Sequence, residues 1–123
     1  MTDETYGGLW VDPPLPIGDT DWSAAWLAIV QGVVAGIALT EGDQLKDLWV
    51  LASGRKTGVG GALLSKCELE ILERGYTRAT LRVVSSNHKA LRFYARHGWC
   101  AQRVYPHETL PILMTEMAKQ VHA

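Results

Sequence analysis

The stretch from Leu45 to Arg74 constrains this chain most, because strand, turn and helix signals follow one another there without a gap. Leu48-Trp49-Val50-Leu51 is an apolar run too short for a helix and bounded by Ala52-Ser53-Gly54, so it reads as a strand. From Gly60 onward the apolar spacing turns helical, with Leu63, Leu64, Cys67 and Ile71 on one face. Arg55-Lys56-Thr57-Gly58-Val59-Gly60-Gly61 lies between the two. Glycines let a backbone turn sharply and remove side chains that would hold a ligand off the main chain. The first amides of the following helix lack internal partners and sit at the positive end of its dipole. Such a junction is either a cradle for a phosphate or simply a tight turn.

Spacing sorts the phosphate binders. The P-loop pattern fails, because Arg55 precedes Lys56-Thr57 and Val50 stands where the first glycine belongs. The dinucleotide fingerprint G-x-G-x-x-G fails at Leu63. R-x-x-G-x-G fits, as Arg55-Lys56-Thr57-Gly58-Val59-Gly60. Downstream, Thr80-Leu81-Arg82-Val83-Val84 alternates as a strand and Ser85-Ser86-Asn87 supplies capping residues for a helix over His88–His97. Ala90, Phe93, Tyr94 and His97 share a stripe of that helix, and Gly98 is its stop signal.

These two patterns, in this order, resemble the GNAT superfamily of acyl-CoA-dependent N-acetyltransferases. The glycine loop is similar to that family's acyl-CoA pyrophosphate loop. Asn87-x-x-Ala90-x-x-Phe93-Tyr94-x-x-x-Gly98-Trp99 is similar to its N-x-x-A-x-x-F-Y-x-x-x-G-F segment, with Trp99 in place of phenylalanine. The resemblance covers roughly Leu27 to Met117.

The remaining elements follow from alternation and turns. Trp22–Val30 and Val33–Leu39 read as a hairpin turning at Gln31-Gly32, and Glu41-Gly42-Asp43 leads into a Leu45–Leu51 strand. After the long helix come a Thr77–Val84 strand, the Asn87-capped helix, a Trp99–Val104 strand, a turn at Tyr105-Pro106-His107-Glu108 and a closing Leu110–Met117 strand. The order β-β-β-α-β-α-β-β predicts an α+β fold: a mixed, largely antiparallel sheet with helices packed on it. In a chain of 123 residues this is one domain. Residues 1–21 form an irregular N-terminal segment, since Gly7-Gly8 and Pro13-Pro14-Leu15-Pro16 forbid long regular structure, and residues 22–123 form the GNAT-like acetyltransferase domain.

A formal net charge of −1 gives no electrostatic footprint for nucleic acid or an anionic membrane. No apolar run is long enough to span a membrane, and the acidic start Thr2-Asp3-Glu4 is unlike a signal peptide, so a cytoplasmic location is expected. Cys67 and Cys100, without C-x-x-C spacing, read as reduced core thiols; no metal site is expected.

The resemblance implies acetyl-CoA (or CoA) as the cofactor and transfer of an acetyl group to a primary amine of a small molecule or to an exposed peptide amino group. It implies that the strand before the loop and the strand after the long helix splay apart, with the cofactor's pantetheine arm against the backbone of Trp49, Val50 and Leu51. The pyrophosphate is expected on the loop from Arg55, Lys56 and Thr57 through Gly58, Val59, Gly60 and Gly61. The Val50 amide is the implied oxyanion donor and Tyr94 the implied acid for the departing sulfur, against a core tyrosine on the helix stripe. Asn87 either contacts CoA or merely caps its helix. Many family members place a glutamate where this chain has Gln44, so Asp47, Glu41 or a water chain must serve as base, and Asp47 otherwise reads as a surface strand residue. His88, His97 and His107 have no partner pattern and read as structural or solvated.

The family usually carries a strand and two helices ahead of the hairpin, where this chain has its proline-rich segment. Trp10, Trp22 and Trp26 cluster there and are expected either to cover the sheet within one chain or to form a homodimer face. The alternative to an enzyme is a CoA-binding sensor or subunit without an acceptor site.

Overall fold

The computed structural model describes residues 25–51 and 58–121. Its elements are β1 (Trp26–Val30), β2 (Val33–Glu41), β3 (Gln44–Val50), α1 (Val59–Glu73), β4 (Arg78–Val84), α2 (His88–Arg96), β5 (Cys100–Pro106) and β6 (Leu113–Gln120). The expected order β-β-β-α-β-α-β-β is therefore the observed one. The segment 1–21, Trp10, Trp22, and Arg55, Lys56 and Thr57 of the glycine loop lie outside the described residues.

The strands form one six-stranded sheet in the order β1-β2-β3-β4-β6-β5. All neighbours are antiparallel except β3 and β4, which run parallel. Gln31 and Gly32 both take positive φ, 51° and 79°, at the two centre positions of the β1–β2 turn. That is the turn whose twist matches the flanking strands. β1 runs from Trp26 to Val30, and residues 22–24 of the expected strand lie outside the described residues.

Both helices lie on the same face of the sheet. α1 buries Leu63, Leu64, Cys67 and Ile71, the stripe read from spacing, against β1–β4. At Gly61 a β-carbon would lie 3.1 Å from Nε2 of His97, so α2 crosses close to the start of α1. α2 buries Ala90, Phe93 and Tyr94. It ends in a Schellman motif, in which Gly98 (φ 90°) donates to the Ala95 carbonyl and Trp99 to the Tyr94 carbonyl. Trp99 therefore belongs to the end of α2, not to the strand expected to begin there. Its indole donates to Glu68 on α1 at 3.1 Å, and Lys119 of β6 holds the same carboxylate at 2.9 Å.

Two further expectations need correction. Cys67 is a buried thiol pushed up to about 12 by burial and by Glu70 and Glu68, but Cys100 is exposed on β5 and is no core residue. β6 starts at Leu113, not Leu110, because residues 108–111 bend around Pro111, which has no amide to give a ladder.

Candidate active site

The parallel seam between β3 and β4 is barely closed. Its one registered pair is Gln44↔Thr80, where the Thr80 amide donates to the Asp43 carbonyl at 2.9 Å. Beyond that point a cleft of about 540 Å³ opens. β3 lines it from Leu45 to Trp49, β4 from Leu81 to Val84, and Ser86, Asn87 and Tyr94 close one side. The far wall comes from His107, Leu110 and Ile112 of the β5–β6 connection and from Met114 of β6.

Why the seam opens is visible in β3. Its pairing with β2 slips by one residue between Leu39↔Asp47 and Thr40↔Leu45, leaving Lys46 as the extra residue of a bulge. Bulges bend the strand that carries them and re-aim its side chains. Past the bulge, the Leu51 amide donates to the Ala35 carbonyl at 2.9 Å. Amides alternate along a strand, so that bond turns the Val50 and Leu48 amides to the opposite edge, toward the cleft. The Val50 side chain itself is buried beside Gly36, on the α1 face, and neither Val50 nor Leu51 lines the cleft wall.

Asp47 and Tyr94 meet the cleft from two different elements. Burial raises the Asp47 carboxyl above the usual carboxylate range, against a hydrogen bond from the Trp49 side chain and the charge of Lys46. Tyr94 is almost wholly buried, and its phenol is raised by that burial and by the fields of Cys67 and Asp47. It is held in place by ring contacts with Phe93 and Trp99, at centroid distances of 5.3 and 6.1 Å. Both are therefore packed and cleft-lining at once. Glu41 is mostly exposed, pairs with Lys46 at 3.9 Å and does not line the cleft. Gln44 sits at the closed end of the seam.

Asn87 is the N-cap of α2, its carboxamide oxygen accepting the Ala90 amide at 3.1 Å, and it also lines the cleft. Gly58 caps α1 in the left-handed region (φ 82°), and a β-carbon there would meet no atom within 4 Å. The first turn of α1 has no side-chain cap and no acidic residue. Beside it, Gly58, Gly61, Ala62 and Ser65 face Phe93, Arg96 and His97 across a groove of about 460 Å³. At Gly61 an added β-carbon would meet only the end of the His97 ring of α2. Among the described residues no cluster of metal-ligating side chains occurs, and no helix is long and apolar enough to cross a membrane.

Sequence spacing missed the far wall. His107 is no solvated histidine: it lines the cleft, and its Nδ1 accepts the Thr109 and Leu110 amides, both at 3.1 Å. Arg82, on the same side, donates to Glu108 at 2.6 Å and holds that carboxyl down at about 2. The signal available in the sequence was weak, a histidine two residues before a threonine within a proline-bounded loop.

An open parallel seam flanked by a bulged strand and a glycine-capped helix belongs to a known fold. The chain resembles Ard1 from Thermoplasma volcanium with a TM-score of 0.73 (22% identity, 81% of this chain and 72% of that one). It resembles nourseothricin acetyltransferase at 0.72 (23%, 93% and 75%) and the ribosomal-protein-S18-alanine N-acetyltransferase of Escherichia coli at 0.64 (22%, 82% and 72%). At such identities the likeness is one of fold. The model of the acetyltransferase (GNAT) family matches residues 2–99, and the chain belongs to that family. Among curated proteins, no sequence matches it.

Proposed function

We propose that this acetyltransferase-family chain moves an acetyl group from acetyl-CoA to a primary amine, of a small molecule or of an exposed peptide amino group, by direct attack in a ternary complex. The observation that carries the reading is the open β3–β4 seam, where one backbone edge, one raised carboxyl and one raised phenol converge.

The groups present fit acetyl-CoA. Uncapped first-turn amides at Val59, Gly60 and Gly61, with open space at Gly58, suit the pyrophosphate, together with Arg55, Lys56 and Thr57 of the loop. On β3 the Val50 amide faces the cleft and suits an amide group of the pantetheine arm, whereas the Trp49 and Leu51 amides turn toward β2 and are not offered to it; Asn87 adds a polar group at the cleft. When bound, acetyl-CoA supplies an acyl group activated as a thioester.

Asp47 takes the proton that the attacking amine must lose, since an alkyl ammonium near ~10.4 is not a nucleophile at neutral pH. A carboxyl raised by burial is a stronger base than an exposed one. The Val50 amide donates to the oxygen that gains charge as nitrogen bonds to the carbonyl carbon. Tyr94 keeps its proton until the carbon–sulfur bond breaks, then gives it to the leaving sulfur. Its raised phenol is not prohibitive, because the dry surroundings that raise it also raise the proton affinity of a thiolate beside it.

The test is incubation with acetyl-CoA and a panel of primary amines, reading thiol release and the mass of acetylated product. Acetyl-CoA binding by calorimetry with no acetylated product from any amine would leave a CoA-binding sensor or subunit instead.

The chain is further proposed to work as a cytoplasmic homodimer. Trp26 is a poor interface residue, since its ring lies under Lys66 Nζ at 5.0 Å and its indole nitrogen is buried. Support comes from β1, the edge strand among the described residues, where Leu27 and Ile29 are exposed together with Val33 at the start of β2. Sedimentation as a 13.5 kDa monomer at micromolar concentration would defeat the dimer.

A further inference from the structure

Side chains from three elements meet where α2 ends. Trp99, in the place where the family's segment has phenylalanine, is 2% exposed and packs on Tyr94 with ring centroids 6.1 Å apart. Phenylalanine would fill that place with carbon alone, whereas a buried indole brings an N–H that needs a partner. Glu68 of α1 is that partner, its Oε2 accepting the indole proton at 3.1 Å. A largely buried carboxylate with a single neutral donor is costly. Lys119 of β6 answers the charge, its ammonium donating to Glu68 Oε1 at 2.9 Å and to the His97 carbonyl at 2.7 Å. The lysine stem passes against Gly98, where a β-carbon would lie 3.3 Å from Cε.

We infer that Glu68 and Lys119 are positioning residues for Tyr94: they fix the Trp99 indole on which the Tyr94 ring is seated at the cleft. The inference rests on the acetyl-transfer reading for what the Tyr94 hydroxyl does there. Tyr94 reaches the cleft from α2, while the proposed oxyanion donor, the Val50 amide, belongs to β3. The distance between the two groups therefore depends on how α2 is docked. The bonds from the Gly98 and Trp99 amides to the Ala95 and Tyr94 carbonyls are internal to the end of α2, so they set its shape and not its docking. Glu68 and Lys119 belong to α1 and β6, and their contacts do tie α2 to the rest of the fold. Neither side chain lines the cleft, so both act through Trp99. A misplacement of about 1 Å at a reacting group costs up to ~10²-fold in rate, which makes such a tie consequential.

Three variants separate the contact from its parts. Trp99→Phe removes the donor and keeps an aromatic ring, Glu68→Ala removes the acceptor, and Glu68→Gln keeps an oxygen for the indole. With acetyl-CoA and an amine that the unaltered protein acetylates, Trp99→Phe and Glu68→Ala should each lower kcat roughly tenfold with KM for acetyl-CoA unchanged. The double variant should be no slower than either, since both remove one contact. Glu68→Gln should recover most of the loss. In a Tyr94→Phe background Glu68→Ala should cost nothing further, because the hydroxyl it positions is gone. Placement is also read without turnover: the aromatic proton resonances of Tyr94, assigned by their absence in Tyr94→Phe, should shift in Glu68→Ala and return in Glu68→Gln. Where Glu68→Ala does not fold, Trp99→Phe takes its place in the Tyr94→Phe background and decides alone. An unchanged kcat, additive losses, a loss that persists without the Tyr94 hydroxyl, or Tyr94 resonances unmoved in Glu68→Ala overturns the inference even if amines are acetylated. Tyr94 resonances that follow Glu68 in a protein that acetylates no amine uphold the positioning and sink the transfer reading instead.

Discussion

Along its β6 side, β4 is registered from Arg78↔Gln120 to Val84↔Met114; along its β3 side it is joined at Gln44↔Thr80 alone. The strand is the same, with Ala79, Leu81 and Val83 buried in alternation. Weak strand propensity therefore does not explain the open seam. The difference lies in what borders it. β6 carries no bulge against β4, whereas β3 kinks at Lys46, and Tyr94 of α2 stands at the gap. One seam is finished by its own hydrogen bonds. The other leaves the Leu48 and Val50 amides and two raised titratable groups facing a space.

The largest expected effect strikes the open seam. Tyr94→Phe removes one hydroxyl and keeps the ring between Phe93 and Trp99. With general-acid loss of ~10²–10⁴-fold, turnover should fall by that order while acetyl-CoA affinity holds. Unchanged single-turnover rates would assign Tyr94 to packing and make the two seams alike in function.

A smaller and pH-dependent effect belongs to Asp47. Its carboxyl is raised, so the base form is lost at a higher pH than the ordinary ~3.9. The rate should fall as pH drops through that raised value. Asp47→Asn should abolish this acid limb and lower the neutral rate by roughly 10²-fold, since water can replace part of a half-exposed base. An acid limb that persists in Asp47→Asn would move the base elsewhere.

The eight elements and their order were legible because each announces itself by period and by a stop: Gly58 before α1, Asn87 and Gly98 around α2, Gln31-Gly32 in the hairpin. Element ends were less legible. Trp99 looked like strand until the Schellman bond to the Tyr94 carbonyl claimed it for α2. Within the cleft, Asn87 and Tyr94 are lining residues, and Gly58 stands at the start of α1. What spacing could not show is registry between distant segments. The bulge at Lys46 depends on β2, and the place of His107 depends on a loop folding back toward β4. Neither leaves a periodic trace.

The smallest effect sharpens the comparison through two glycines on the helix-bearing side. Gly36 lies in the closed β2–β3 pairing, where a β-carbon would come 2.7 Å from Leu63 Cδ1, 2.9 Å from Val59 Cγ1 and 2.9 Å from the Trp49 carbonyl oxygen. Two of these are side-chain ends, but the third is backbone fixed by the same ladder. Overpacking of this kind costs ~1–3 kcal/mol, so Gly36→Ala should shift the urea midpoint downward with the slope unchanged. Gly61 lies between the helices, and there the added carbon meets only the end of the His97 ring at 3.1 Å. That ring is held by a hydrogen bond between Nδ1 and the Phe93 carbonyl at 2.9 Å and can shift by a few tenths of an ångström. Alanine is worth ~1 kcal/mol over glycine inside a helix, so Gly61→Ala should be neutral or mildly stabilising. The ordering decides the point. If Gly61→Ala proves the more damaging of the two, α2 is docked more rigidly than the closed half of the sheet, and Tyr94 is held as firmly as the strand it faces.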